Sequence, residues 1–305
     1  NIMDGMEWLG LSFDELYRQS ERGEIYEGEL KKLLDKDLIY ISKEEVKEEG
    51  QRPEVIRFRN PNKKITFHDE IRGDVSFDTT ELGDFIIARS MTEPLYHFAV
   101  VVDDFLSKVT HIIRGEDHIS NTPRQILIQE AIGAPRPVYA HLPLLLGSDR
   151  SKLSKRHGAT SINSYKDEGF LPETMINFLT LMGFNPGTEK EIYSLEELIK
   201  VFDLEKTQKG GAIFDKEKLK WMNKEHLKLK DGDFLNKYLS SAILETNHAK
   251  ELNINEDQVQ KASKLFTERI SVASELKEEF ERGDWDYLFR EPVYSPELLV
   301  WKKDD

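Results

Sequence analysis

The stretch from Val109 to Gly133 constrains the fold most. Val109-Thr-His-Ile-Ile113, with Val109, Ile112 and Ile113 apolar, reads as a strand ending in Arg114, a charged turn follows, and Ser120-Asn-Thr-Pro123 then opens a helix. A polar cap with proline in the first turn is a strong helix start. Apolar Ile126, Leu127 and Ala131 carry the helix to a stop at Gly133. Upstream, Phe98 to Val102 is apolar throughout and ends in Asp103-Asp104, which reads as a second buried parallel strand. Two buried strands and a capped helix predict half of a doubly wound α/β sheet. In such sheets ligands bind beyond the carboxyl ends of the strands, where Arg114, Glu116, Asp117 and His118 fall. Those residues also admit plainer readings: Arg114 as an ion-pair partner of Glu116 or Asp117, His118 as a structural group. Adjacent Glu116, Asp117 and His118 rarely converge on one metal ion.

Tyr139 to Leu146 leads directly into Asp149-Arg-Ser-Lys-Leu-Ser-Lys-Arg-His157, bracketed by Gly147 and Gly158. Lys152 and Lys155 lie three residues apart around Ser154, with Arg156 behind, so two ammonium groups are available to one polyphosphate. Lysine is a flexible point charge suited to phosphates. A solvated basic turn is the competing reading. The formal charge of −14 over 305 residues excludes a general nucleic-acid binder, because phosphate contacts need clustered cations. An RNA partner must meet local patches: Lys152 to His157, Lys206 to Lys209, Lys216 to Lys230, or Lys63-Lys64. There are no cysteines, which removes disulfides and thiolate zinc sites and fits a cytoplasmic protein. No apolar run approaches a membrane span.

Elsewhere, Ile2, Met3, Met6 and Leu9 share one helical face, and Ile25 to Leu38 reads as an amphipathic helix with Leu30, Leu33 and Leu34 inward. Val55 to Phe58, Ile65 to Phe67, Val75 to Phe77 and Phe85 to Ile87 read as short strands between turns. Met175, Phe178, Leu179 and Met182 mark a helix ending at Gly183. Further helices are expected over Ser194 to Phe202 (Leu195, Leu198 and Ile199 inward), Phe214 to Asn223, Phe234 to Leu244, Glu256 to Phe266 and Ile270 to Phe280.

Lys152-Leu-Ser-Lys-Arg156, Ile113-Arg-Gly-Glu-Asp-His-Ile-Ser-Asn-Thr-Pro-Arg124 and Tyr96-His-Phe-Ala-Val-Val-Val-Asp-Asp104 together resemble the glutamyl-tRNA synthetases of class I. The first looks like their second ATP signature. The resemblance implies a multidomain α/β protein: part of a Rossmann-like catalytic fold with an α+β insertion, then a mostly helical stem-contact and anticodon-binding region. The implied units are residues 1–22 and 98–160 for the catalytic fold, 23–97 for the insertion holding the tRNA acceptor end, 161–225 for stem contact, and 226–305 for the start of the anticodon-binding part. No HIGH-type first signature occurs, so the chain reads as a fragment, inactive alone, of a longer enzyme.

By the same resemblance, Lys152 and Lys155 are the catalytic cations. Ser154, Lys155, Arg156, Asp117, His118 and Leu145 border the nucleotide, and Tyr96 and Arg114 hold the substrate glutamate, Arg114 by a bidentate fork. Val100 stands where many relatives have asparagine, removing one polar substrate contact. The implied partners are ATP with Mg²⁺, L-glutamate and tRNA(Glu), acting on a monomer. Tyr40 to Glu45 lacks the cysteine knuckle of many relatives, so no zinc is expected. A glutaminyl-tRNA synthetase, which usually has methionine at the position of Leu153, and a non-catalytic tRNA-binding or scaffold protein remain alternatives.

Overall fold

Helices and strands alternate irregularly in the computed structural model of the protein, which describes residues 2–45, 53–154, 156 and 161–291. Helices α1 (Ile2–Trp8) and α2 (Gly23–Asp35) precede six strands, β1 (Ile39–Lys43), β2 (Glu54–Phe58), β3 (Lys64–Asp69), β4 (Gly73–Asp78), β5 (Phe85–Ser90) and β6 (Glu93–Pro94). Next come α3 (Tyr96–Leu106), β7 (His111–Gly115), α4 (Thr122–Ile132), β8 (Val138–Leu142) and β9 (Leu145–Leu146). After the basic loop follow α5 (Ile162–Glu168), α6 (Pro172–Gly183), α7 (Leu195–Val201), β10 (Ala212–Ile213) and α8 (Lys216–Lys228). The chain then turns wholly helical, with α9 (Gly232–Leu244), α10 (Asn247–Glu251), α11 (Glu256–Arg269) and α12 (Ala273–Glu281).

Strands β1-β2-β5-β6 form one antiparallel sheet, and β4-β3-β8-β7 form a mixed sheet in which β8 runs parallel to both β3 and β7. The expected strands of the 23–97 segment all form, but they divide between the two sheets. The β3–β4 hairpin joins the strands that carry Arg114 and the approach to the basic loop. A small parallel pair, β9 with β10, ties the entry of that loop to the segment before α8.

Phe98 to Val102 is not a strand. It is the centre of α3, packed against α2, α4 and β5. Phe98, Ala99, Val101 and Val102 are all buried, so an apolar run without periodicity marks burial on nearly every side rather than extended backbone. The parallel neighbour of β7 is β8 instead. Tyr40 to Glu45, where many relatives have a cysteine knuckle, is mostly β1. α4 forms where expected, Pro123 lying in its first turn, although a 3-10 turn over Glu116–Asn121 leads into it and no side chain caps it.

Several inward assignments also fail, for geometric reasons. On α2 the buried stripe is Tyr26, Leu30 and Leu33, spaced i, i+4, i+7, which leaves Leu34 39% exposed at its margin. The two-turn helix α7 buries only Leu198, and Leu195 and Ile199 are exposed. The shared face of α1 carries no inward assignment: only Gly5 is buried there, and Ile2, Met6 and Leu9 line one shallow cavity with Ser161 and Ile162.

Three apolar clusters hold the chain together. One joins α2, α3 and α4 to the sheets through Leu30, Ile87, Phe98 and Ile126, one joins α6 and α8 through Phe178, Leu219 and Met222, and one fills the terminal helices around Phe266 and Phe280. Gly169, which ends α5, links the last two: its φ is +88°, and an added Cβ falls 2.4 Å from the Ala273 Cβ. Tyr238 of α9 donates to the Gly169 carbonyl at 2.7 Å. Gly169→Ala combines left-handed strain with overpacking and lowers stability by about 2–4 kcal/mol. Urea unfolding of the variant checks this, and an unchanged midpoint contradicts it.

Candidate functional site

Parallel register places Arg114 of β7 directly beside His141 of β8. On the other side of β8, Asp69 ends β3 opposite Tyr139. The three polar side chains thus line up across the carboxyl ends of β3, β8 and β7. Asp69 and His141 are fully buried. His141 Nδ1 lies 2.6 Å from Asp69 Oδ2, and the same carboxylate accepts the His141 backbone N–H at 3.1 Å, the Arg72 N–H at 2.8 Å and the Ile71 N–H at 3.1 Å. Arg114 Nε donates to His141 Nε2 at 3.2 Å, and its Nη2 donates to Thr122 Oγ1 at 2.9 Å and Gln125 Oε1 at 2.8 Å.

These contacts fix the protonation pattern. Arginine only donates, so His141 Nε2 is bare and Nδ1 carries the proton toward Asp69. Burial pushes the His141 pKa down against the pull of Asp69. Burial pushes Asp69 up, but the Arg72 N–H and the two His141 donors outweigh it and hold the carboxyl below the usual range.

The bidentate reading of Arg114 changes accordingly. Its side-on fork, Nε with Nη2, is taken by His141, Thr122 and Gln125. Nη1 has no partner among the described residues. Nor does Arg114 pair with Glu116 or Asp117. Glu116 Oε2 meets Arg72 Nη2 at 2.6 Å while its Oε1 accepts the Leu144 N–H at 3.2 Å, and Asp117 Oδ2 meets Lys152 Nζ at 2.7 Å. His118 Nδ1 lies 3.4 Å from the Tyr96 hydroxyl and 3.3 Å from Asn121 Nδ2. Three adjacent side chains therefore point to three different partners. Two buried polar atoms near Arg114 have no partner, Gln125 Nε2 and His97 Nδ1. Such orphans are rare in proteins, and a bound water or a polar ligand is one way of satisfying them. Burial pushes the His97 pKa down, with Arg124, Arg114 and His118 acting in the same direction.

The basic loop leaves β9 by a short antiparallel return: the Leu153 N–H donates to the Leu145 carbonyl at 2.8 Å, and the Gly147 N–H to the Ser151 carbonyl at 2.9 Å. Arg150 makes the turn with φ 61°. A cavity of about 450 Å³, lined by Gly115, Asp117, Leu145, Lys152, Leu153 and Met182, lies on one side of the loop. A second of about 680 Å³, lined by Gly147, Ser148, Arg156, Tyr165 and Phe214, lies on the other. Lys152, Asp117 and Leu145 thus share one crevice, whereas Arg156 reaches back to Ser151 and Asp149 and borders the other. Ser154 is described at the end of the return, and Lys155 and His157 lie outside the described residues. A Cβ at Gly115 would meet Asp117 Oδ1 at 2.6 Å, so a larger residue there would turn the Asp117 side chain.

The basic patches are internally compensated. Lys63 pairs with Glu130 at 2.6 Å, Lys206 with Asp203 at 3.1 Å, Lys216 with Glu168 at 2.8 Å and Lys220 with Glu275 at 2.9 Å, and Lys218 pairs with Glu191. Asp69 and Arg72 escaped the sequence reading because they reach His141 across the sheet through strand register, and Thr122 and Gln125 because the way the turn folds α4 back onto β7 is not visible in the sequence. The usable signals were a buried-register aspartate ending the alternating strand β3 and a histidine inside β8.

Residues 37–221 match the family described as tRNA synthetases class I (E and Q), catalytic domain. The chain is 46% identical to the glutamate–tRNA ligase of Aquifex aeolicus over 257 residues, covering 73% of this chain and 54% of that protein. It is 41% identical to the corresponding ligase of Heliobacterium modesticaldum, covering 100% of this chain and 68% of that one. A crystal structure of a glutamate tRNA ligase from Elizabethkingia meningosepticum, in complex with its amino acid, superimposes with a TM-score of 0.81 at 29% identity over 97% of this chain and 73% of that chain. The chain spans about half the length of the Aquifex relative.

The Lys152 contact holds the Asp117 carboxyl below its ordinary value. A carboxyl held down in this way adds stability above its unfolded pKa, lost as pH falls through the folded one. Lys152→Met raises the Asp117 pKa toward the ordinary range and removes that acid-sensitive increment. Carboxyl ¹³C NMR titration measures it, and an unmoved Asp117 pKa contradicts the pair.

Proposed function

Because the chain belongs to the class I tRNA synthetases of the glutamate and glutamine branch, we propose that it activates L-glutamate with ATP and transfers it to tRNA(Glu). The observation that carries this reading is Arg114, fixed on its Nε–Nη2 side with Nη1 unpartnered, at the sheet end from which the Asp117–Lys152 crevice opens. A guanidinium offers a charged donor to the substrate's side-chain carboxylate. Tyr96, whose hydroxyl lies 3.4 Å from His118 Nδ1, is assigned to the same pocket by the resemblance, and Gln125 Nε2 and His97 Nδ1 are further polar groups for it. Val100 brings no polar contact.

In the first step an oxygen of the glutamate α-carboxylate attacks the α-phosphorus of ATP, and the bond to the bridging oxygen breaks, releasing pyrophosphate. Lys155 and Lys152 offset the charge that develops on the departing phosphates, with Asp117 holding Lys152 until nucleotide arrives. Asp117 and Leu145 border the adenosine, with His118 beside them and Ser154 from the loop, whereas Arg156, turned toward Ser151 and Asp149 on the other cavity, reaches the nucleotide only if the loop rearranges. In the second step a ribose hydroxyl at the tRNA 3′ end attacks the glutamyl carbonyl and AMP leaves. No side chain is alkylated or acylated; the chemistry is positioning and electrostatic stabilisation.

Among the described residues no three carboxylate or histidine groups converge on one point. A Mg²⁺ ion would be carried in on the ATP phosphates, as is usual for this ion. The ion's contribution is charge neutralisation on those phosphates. No helix among the described residues is long and apolar enough to cross a membrane, and the proposed setting is the cytoplasm, where the substrates are. RNA bound at Lys216, Lys218 and Lys220 would displace their paired carboxylates, and the counterions released from its phosphates make its affinity fall with salt.

Glutamate attachment to tRNA by the complete gene product, with ATP, tests the reading. The expected result is glutamyl-tRNA, with Lys155→Ala slowing the first step by about 100-fold or more. Salt-sensitive tRNA binding without any charging would replace this reading with a non-catalytic one.

A further inference from the structure

Arg114 does not choose its own orientation. Its Nε is met by His141, and the ring of His141 is met by Asp69, 72 residues earlier in the chain. We propose that Asp69 and His141 are positioning residues for Arg114, holding its side-on fork inside the protein so that Nη1 alone presents to the substrate's side-chain carboxylate. This rests on the reading of Arg114 as the carboxylate-binding group.

The argument runs through donors and acceptors. Asp69 faces four N–H groups, those of Ile71, Arg72 and His141 from the backbone and Nδ1–H of the His141 ring. An ionised carboxylate accepts all of them, and none requires it to donate. Its presence therefore selects the Nδ1–H tautomer of His141, because the other nitrogen's hydrogen bond sets which one carries the proton. In that tautomer Nε2 has a free lone pair toward Arg114 Nε. In the opposite tautomer two N–H groups would confront each other at 3.2 Å.

Strand register supplies the precision. Asp69 lies opposite Tyr139, and His141 opposite Arg114, so a slip by one residue on either side of β8 would turn a partner to the other face. Arg72 adds a second tie from the same β3–β4 turn. Its Nε donates to the His141 carbonyl at 3.4 Å, and its guanidinium pairs with Glu116, two residues beyond Arg114. Thr122 completes the enclosure, accepting from Arg114 and lying 3.3 Å from the His118 carbonyl.

Asp69→Asn places an amide N–H against His141 Nδ1 and reverses the tautomer. The fork of Arg114 then loses its acceptor and turns. The nucleotide side, held by Asp117 and Lys152, is not in this chain of contacts. The expected result in glutamate-dependent ATP–pyrophosphate exchange by the complete gene product is a KM for glutamate raised about tenfold or more in Asp69→Asn and His141→Phe, with the KM for ATP unchanged. His141→Gln, whose amide oxygen reaches the position of Nε2, restores most of the loss.

Folding of each variant is checked by circular dichroism, and an independent readout needs no variant. Imidazole ¹⁵N shifts of His141 in the native protein at neutral pH should report the Nδ1–H tautomer; an Nε2–H tautomer or an imidazolium overturns the proposal. If Arg114→Gln raises the glutamate KM but folded Asp69→Asn and His141→Phe do not, the positioning role alone falls. If Arg114→Gln leaves the glutamate KM unchanged, the reading of the pocket falls and the proposal with it.

Discussion

A carboxylate with no access to water has to be surrounded by donors, and Asp69 is the group around which this sheet closes. The β3–β8 ladder is brief, a single residue pair between Asp69 and Tyr139, supplemented by the Glu70 N–H on the Tyr139 carbonyl at 2.9 Å. Where the ladder ends, the Asp69 side chain takes over the work of a backbone carbonyl and accepts the His141 N–H at 3.1 Å. One residue therefore terminates β3, joins the antiparallel hairpin to the parallel strands and orients the ring beside Arg114. Leaving such a buried charge with a partner missing costs about 3–5 kcal/mol, so the network forms whole or the sheet end opens.

Charge elsewhere follows the same logic of local compensation. A chain of net charge −14 places carboxylates against most of the described lysines considered for RNA contact, yet the hydrogen bonds of Arg114 go to a neutral imidazole, a hydroxyl and an amide. The guanidinium is held by dipoles rather than by an opposing charge. Its positive field is thus available to an incoming anion. On the loop the arrangement is reversed, since Lys152 is already neutralised by Asp117 and an incoming polyphosphate competes with one exposed carboxylate.

What the sequence revealed and what it hid divide along the chain's own geometry. Local signals held: Pro123 and Gly133 bound α4, the spacing of Met175, Phe178 and Met182 marked the buried face of α6, and the short alternating runs became β2 to β5. Phe98 to Val102 failed because five apolar residues in a row carry no period, and burial in α3 looks the same as burial in a sheet. Arg114 and the charged turn were visible as candidates because they follow a strand. Their partners were not, because Asp69 reaches His141 only through register across β3 and β8. The fork of Arg114 looked free for the same reason.

The most direct measurement is the crystal structure of the protein with glutamate bound. The account predicts a side-chain carboxylate oxygen about 2.7–3.2 Å from Arg114 Nη1, with Arg114 Nε still on His141 Nε2. A carboxylate seated on the Nε–Nη2 fork with His141 displaced, or glutamate bound away from Arg114 altogether, would contradict it.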